Sequence, residues 1–190
     1  MAKLKLVGLS GSLRKASHNT ALLHTVQQRL AGGSLLGAPV DAELTIIDYR
    51  EVPFYDDDLG RPASVEQLDA ALRGADGVIL ATPEYNYGIP GVLKNALDWA
   101  SRPAYKSAFY QRPVGIVGAS GGAIGTARAQ GQLKQVLLGM ASQVFPYPEF
   151  NLGGAGQRIQ NGELTDAASL EFLDKYLLAF TQWVDRVKLQ

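Results

Sequence analysis

The chain of 190 residues contains no cysteine. Disulfide frameworks, thiolate metal sites and cysteine nucleophiles are thereby excluded. Histidine is almost as scarce, with His18 and His24 the only two. That argues against a multi-histidine metal site, although carboxylates can still hold magnesium or calcium. No apolar run approaches the ~18 residues that a membrane helix needs. The apolar part of MAKLKLVGLSGS is too short for a secretory leader. Net charge is missing as well, because 18 Lys and Arg balance 18 Asp and Glu. A broad nucleic-acid footprint requires clustered positive excess. Neither nucleic acid nor membrane is therefore expected as a partner, and a soluble cytoplasmic protein is the expectation. A chain of this length accommodates one domain, residues 1–190, with a sizeable core.

Charge is nevertheless unevenly placed. Lys3, Lys5, Arg14, Lys15 and Arg29 all precede the first acid, Asp41, so the opening segment carries a local positive potential. Asp48, Glu51, Asp56, Asp57 and Asp58 then face Arg50 alone. This run lacks the glycine and terminal glutamate of a calcium loop and reads as a solvated loop.

The hydrophobic period switches repeatedly between strand and helix. Leu4 to Leu9, Leu44 to Ile47, Gly77 to Thr82 and Val114 to Gly118 read as strands, with a short fifth at Gln143 to Phe145. Helices are predicted from about Asn19 to Leu30, up to about Arg73, Gly91 to Ala100, Gly125 to Leu138 and Asp166 to Val187. Ser64 and Gln67 have capping-box spacing, which makes Ser64 the expected N-cap of the second helix. Val78 to Ala81 and Val114 to Val117 are apolar on both faces, as in a parallel sheet covered by helices on both sides. Asn151 to Gly162 reads as a long surface loop. Trp99, Tyr105, Phe109 and Tyr110 are either exposed contacts for a second subunit or ordinary core and edge packing.

Ligands of open parallel sheets bind beyond the C-terminal strand ends. Three loops there are unusual. Ser10 to Thr20 gathers Ser10, Ser12, Ser17, Asn19, Thr20, Arg14 and Lys15 at the entry to a helix. A helix N-terminus with hydroxyl donors suits a phosphate; simple capping by Ser17 or Asn19 is the plainer alternative. No G-x-x-x-x-G-K-[ST] string occurs, and no G-x-G-x-x-G follows the first strand. A hydroxyl-rich loop favours a terminal monophosphate such as that of FMN. Thr82 to Gly91 combines Glu84, Tyr85, Asn86 and Tyr87 with two prolines and two glycines. This stiff turn suits a planar ring or, alternatively, tyrosines at a subunit contact. Gly88 is expected to have positive φ or to touch the ring. Gly118 to Gly125 contains a G-x-S-x-G string, but a nucleophile elbow requires a later histidine, and none follows His24. A small-residue loop admitting a ring edge is the better account.

Gly11 to Asn19, G-S-L-R-K-A-S-H-N, and Pro83 to Trp99, P-E-Y-N-Y-G-I-P-G-V-L-K-N-A-L-D-W, resemble the NAD(P)H-dependent FMN reductase family, in the branch with bacterial quinone and chromate reductases. The family often has an aromatic residue where His18 stands. The resemblance implies an α/β flavodoxin-like three-layer sandwich. Its sheet would have five parallel strands in the order 2-1-3-4-5, and FMN would bind non-covalently. By the same resemblance, Ser10, Ser12, Arg14, Ser17, His18, Asn19 and Thr20 would surround the phosphate. Pro83, Glu84, Tyr85, Asn86 and Tyr87 would line the isoalloxazine, with Ser120, Gly121 and Gly122 on its other side. It further implies a homodimer or homotetramer in which NADPH or NADH is the donor. Quinone, free flavin, chromate or azo compounds would be acceptors. No catalytic side chain is named, because the chemistry sits on flavin N5. A flavodoxin-type electron carrier is the rival, disfavoured by the zero net charge.

Overall fold

In the computed structural model, which describes residues 3–188, β1 (Leu4–Ser10) is an inner strand between β2 (Ala42–Ile46) and β3 (Gly77–Ala81). Beyond β3 come β4 (Pro113–Ala119) and β5 (Gln143–Val144). All pairings are parallel, and the order is β2-β1-β3-β4-β5. The α/β flavodoxin-like sandwich is thus present in the anticipated order. The chain runs from β1 outward to β2 and then returns across β1 to β3. The order reverses there, so a crevice opens beyond the C-terminal ends of β1 and β3.

Side-chain alternation divides the interior into two cores. Leu4, Leu6, Ile79, Ala81, Val117 and Ala119 face α1 (His18–Ala31) and α5 (Ala167–Val187). Val7, Leu9, Val78, Leu80, Val114 and Ile116 face α2 (Ala63–Arg73), α3 (Gly91–Ala100) and α4 (Ala127–Gly139). Every residue of β3 and β4 is buried, which explains their uninterrupted apolar sequence.

Two expectations are corrected. Asn151 to Gly162 is not a surface loop. Phe150–Leu152 forms β6, which pairs in parallel with the upper end of β4, at Val117, Gly118 and Ala119. A helical turn, Ala155–Arg158, and a small hairpin, Ile159–Gln160 with Glu163–Leu164, follow. Two of the glycines that suggested a loop answer to the local structure here. A Cβ on Gly153 would lie 2.4 Å from the Ala123 carbonyl oxygen, and Gly154 has φ +59°. Second, Ser64 is not the N-cap of α2. Pro62 holds that place, without a side-chain cap bond, and its fixed φ of −58° sets the entry to the helix. Of the two readings open for the aromatic residues, core packing holds for Trp99 and Phe109, whereas Tyr105 is exposed and Tyr110 half-buried. In the acidic segment, the Asp56 carboxylate accepts from the Asp58 N–H and opens an exposed turn at Asp57–Leu59.

Candidate functional site

The first wall of the crevice is the hydroxyl-rich loop between β1 and α1. Ser17 caps α1, its Oγ accepting from the Thr20 N–H at 3.2 Å. Ser10 Oγ lies 2.8 Å from Thr20 Oγ1 and donates to the Ser12 carbonyl at 3.2 Å. Ser12 Oγ accepts from the Arg14 N–H and lies 3.5 Å from the Tyr85 hydroxyl. The N–H groups of His18 and Asn19, in the first turn of α1, have no partner among the described residues. That turn contains no acid. Arg14 and Lys15 are exposed and form no ion pair among the described residues. Open N–H groups, hydroxyls and an unengaged guanidinium, with no carboxylate in the first turn, fit a phosphate.

The Asn19 side chain does not join this donor set. It is 2% exposed and points into the sheet. Its Nδ2 donates to the Ala119 carbonyl and its Oδ1 accepts from the Ala119 N–H, both at 2.9 Å. Only its backbone N–H remains open to a ligand. Below the mouth, the Tyr49 hydroxyl donates to the Ser10 carbonyl. Burial pushes the Tyr49 phenol well above its ordinary pKa, with the charge of Asp48 adding to it, so it stays a donor.

The second wall is the turn after β3. Tyr85 and Gly88 exchange backbone hydrogen bonds of 3.0 and 2.9 Å. The two residues between them, Asn86 and Tyr87, have φ of +49° and +67°, which defines a type I′ turn. The left-handed conformation therefore falls on Asn86 and Tyr87, and not on Gly88. A Cβ on Gly88 would lie 2.8 Å from Gln132 Oε1, the mobile end of an exposed side chain that can give way. A left-handed tyrosine is strained and needs its surroundings to hold it. Here α4 does so. Glu84 Oε2 accepts from the N–H groups of Arg128 and Ala129 at 3.0 and 3.2 Å, and Oε1 pairs with Arg128 Nη1 at 2.5 Å. The Arg128 guanidinium lies 4.0 Å from the centre of the Tyr87 ring. Gln132 Nε2 donates to the Tyr87 carbonyl at 3.1 Å. α4 has no acid in its own first turn, so Glu84 supplies that charge from outside. Burial opposes ionisation of Glu84, but the Arg128 side chain and the two N–H groups outweigh it and hold its carboxyl below the ordinary value. Glu84 is thus a brace. Tyr85 and Tyr87 present their rings outward, 47% and 66% exposed.

The third wall follows β4. Ser120 N–H donates to the Leu152 carbonyl at 2.9 Å, and its own carbonyl accepts from Ala155 at 3.0 Å. Ser120 Oγ accepts from the Gly122 N–H at 3.2 Å. Gly121 and Gly122 are exposed, and a Cβ on Gly121 would meet nothing within 4 Å. Beneath them Gln130 is fully buried, and its Nε2 donates to Phe150 O and Asn151 Oδ1 at 2.9 and 2.8 Å. The walls touch one another. Gly11 N–H donates to the Ala81 carbonyl at 2.7 Å, and a Cβ on Gly11 would lie 3.0 Å from Pro83 Cδ. Sequence reasoning found the three loops and missed Tyr49, Arg128, Gln130 and Gln132. Those residues act across long chain separations, and no local pattern marks them.

A doubly wound sheet with a phosphate-fitting loop and a braced aromatic turn at its reversal point defines a flavodoxin-like flavoprotein. The profile of the NADPH-dependent FMN reductase family matches residues 4–157. The chain is 42% identical over 194 residues to a quinone reductase of Escherichia coli (strain K12), covering 98% of each. It is 39% identical over 189 residues to an NAD(P)H-dependent FMN reductase of Pseudomonas aeruginosa, covering 97% of each. The flavoenzyme NAD(P)H:(acceptor) oxidoreductase of Paracoccus denitrificans superposes with a TM-score of 0.87 at 32% identity, covering 98% of this chain and 100% of that one. The chain belongs to the NADPH-dependent FMN reductase family. It is an oxidoreductase that uses FMN, with NAD(P)H as co-substrate.

Proposed function

We propose that the protein holds FMN across the three loops and transfers electrons from NAD(P)H to quinones or free flavins. The observation that carries this reading is the juxtaposition of an unopposed donor set at the α1 N-terminus with a turn braced from behind. Arg14, the hydroxyls of Ser10, Ser12, Ser17 and Thr20, and the N–H groups of His18 and Asn19 bind the phosphate. Pro83 to Tyr87 offer the flavin ring their backbone edge and the faces of Tyr85 and Tyr87. Ser120, Gly121 and Gly122 approach its other side. Bound FMN supplies a ring that accepts hydride and passes electrons onward.

The protein contributes position and shape. Glu84 is ionised and fully engaged with α4, and no catalytic side chain is assigned. The exposed tyrosines shape an open slot in which donor and acceptor alternate. Such a slot admits flat acceptors of several kinds, and chromate and azo compounds are further ones. A homodimer or homotetramer follows from the family resemblance, with exposed Phe54, Tyr105 and Leu138 available for subunit contacts; zero cysteine agrees with a cytoplasmic location. No helix among the described residues is long and apolar enough to cross a membrane.

The test is anaerobic stopped-flow mixing of the FMN-loaded protein with NADPH and with NADH. Rapid bleaching of the flavin band, restored by a quinone, is the expected result. A flavin band that neither nucleotide bleaches would leave a carrier without direct NAD(P)H oxidation.

A further inference from the structure

We infer that Asn19 is a positioning residue, whose side-chain amide sets the spacing between the phosphate mouth and the Ser120–Gly122 loop. The inference rests on the flavin reading above and concerns how its two halves are held in register. Pairing of β3 with β4 ends at Ala81 and Val117. Ala119 lies beyond that point, with β6 on one edge and no strand on the other. On the open edge the Asn19 amide stands where a strand would. It donates to the Ala119 carbonyl and accepts from the Ala119 N–H, at 2.9 Å each, across 100 residues of chain.

A primary amide alone among short side chains offers a donor and an acceptor side by side in one plane. Aspartate lacks the donor, and a serine hydroxyl cannot reach both backbone groups. Without Asn19, the buried N–H and C=O of Ala119 would lose their partner on that edge. Asn19 also lies in the first turn of α1, next to the open N–H of His18. Ala119 immediately precedes Ser120. The bond pair therefore ties the phosphate donors to the loop on the far side of the ring, and both move as one body. A phosphate ligand and a spacer make opposite demands on this side chain, which cannot leave Ala119 for a ligand without undoing the register.

The experiment titrates FMN and riboflavin into wild-type and Asn19→Ala apoprotein, alongside thermal melting. Riboflavin carries the ring and no phosphate. A spacer predicts that both affinities fall together, by roughly tenfold, the effect of losing one net hydrogen-bond contribution. Loss confined to FMN would make the side chain a phosphate contact and overturn the inference. A lower melting temperature with both affinities intact would assign Asn19 to the fold alone and overturn it equally. Wild-type protein that binds neither flavin would overturn the flavin reading itself, and the inference with it. NMR of wild-type protein decides the matter if Asn19→Ala does not fold. A through-hydrogen-bond coupling from Asn19 Nδ2 to the Ala119 carbonyl that persists when FMN binds supports the inference. A coupling that moves to the phosphorus contradicts it.

Discussion

Behind the Pro83–Gly88 turn, Glu84, Arg128 and Gln132 are all engaged with protein atoms, and two left-handed residues are held in place by them. Across the crevice, the Ser10–Thr20 mouth has hydroxyls bonded mainly to nearby backbone groups, two open N–H groups and an unengaged Arg14. The difference shows two ways of preparing a site. The turn proposed to seat the ring is already held by protein contacts, so its ordering cost belongs to folding. The mouth proposed for the anion leaves Arg14 and two helix N–H groups without partners among the described residues, and their bonds form on binding. Substitutions in the first region should therefore act mainly on stability, and those in the second mainly on affinity.

The sharpest way to break the comparison is Gly118→Val. A Cβ there would lie 1.8 Å from Thr126 Oγ1 and 2.7 Å from the Thr82 carbonyl. Backbone and a buried threonine cannot both withdraw, so a loss on the order of 3 kcal/mol or outright misfolding is expected. Near-wild-type urea unfolding would show that the floor beneath the ring is soft and that its rigidity has been overstated.

Arg14→Ala tests the opposite wall. FMN affinity should fall by about 1.5–3 kcal/mol, the range for hydrogen bonds to a charged group. The melting temperature of the apoprotein should stay unchanged, because Arg14 makes no ion pair among the described residues. Isothermal titration and a melt of the same sample read both quantities. Unchanged affinity would remove Arg14 from the site.

Glu84→Gln should lower stability by about 1–2 kcal/mol at neutral pH, through the lost charge on two N–H groups and Arg128. The pH dependence follows from the lowered carboxyl value in the folded state. The contribution is fully present above the ordinary glutamate range and is lost as pH falls through the lowered value. Wild type and Glu84→Gln should therefore converge in acid. A gap that persists at the lowest pH would assign the effect to shape rather than charge.

The smallest expected change in stability, and the finest discriminator, is Tyr87→Gly. Glycine relieves the φ of +67°, while loss of the ring removes the contact with Arg128. The two effects are each on the order of 0.5–1 kcal/mol and opposite in sign. Stability should stay within about 1 kcal/mol of wild type, yet kcat/KM for a quinone should drop, since the exposed ring shapes the acceptor slot. Full activity would exclude Tyr87 from that slot.

The strands and most helix limits were legible because both cores follow simple periods, as in Leu4, Leu6 against Val7, Leu9, whereas the strand order came only with the family resemblance. The loops were legible because their composition is unusual. β6 was not, because the fifth position of the sheet is divided between Gln143–Val144 and Phe150–Leu152, and neither piece is long enough to show alternation. The turn misled because glycine is the default left-handed residue, whereas here Asn86 and Tyr87 take that conformation under tertiary constraint. The side-chain role of Asn19 was not legible, because its position among hydroxyls suggested a ligand contact or a cap. Its partner, Ala119, is far away in the chain and contributes only backbone. Arg128 and Gln132 look like ordinary exposed helix residues, and only the approach of α4 to the turn gives them a role.

The most direct measurement is a crystal structure of the protein grown with FMN. The account predicts the phosphate against Arg14 and the N–H groups of His18 and Asn19, the ring along Pro83 to Tyr87, and the Asn19 amide still on Ala119. A phosphate bound elsewhere, with the Ser10–Thr20 mouth closed by its own side chains, would contradict it.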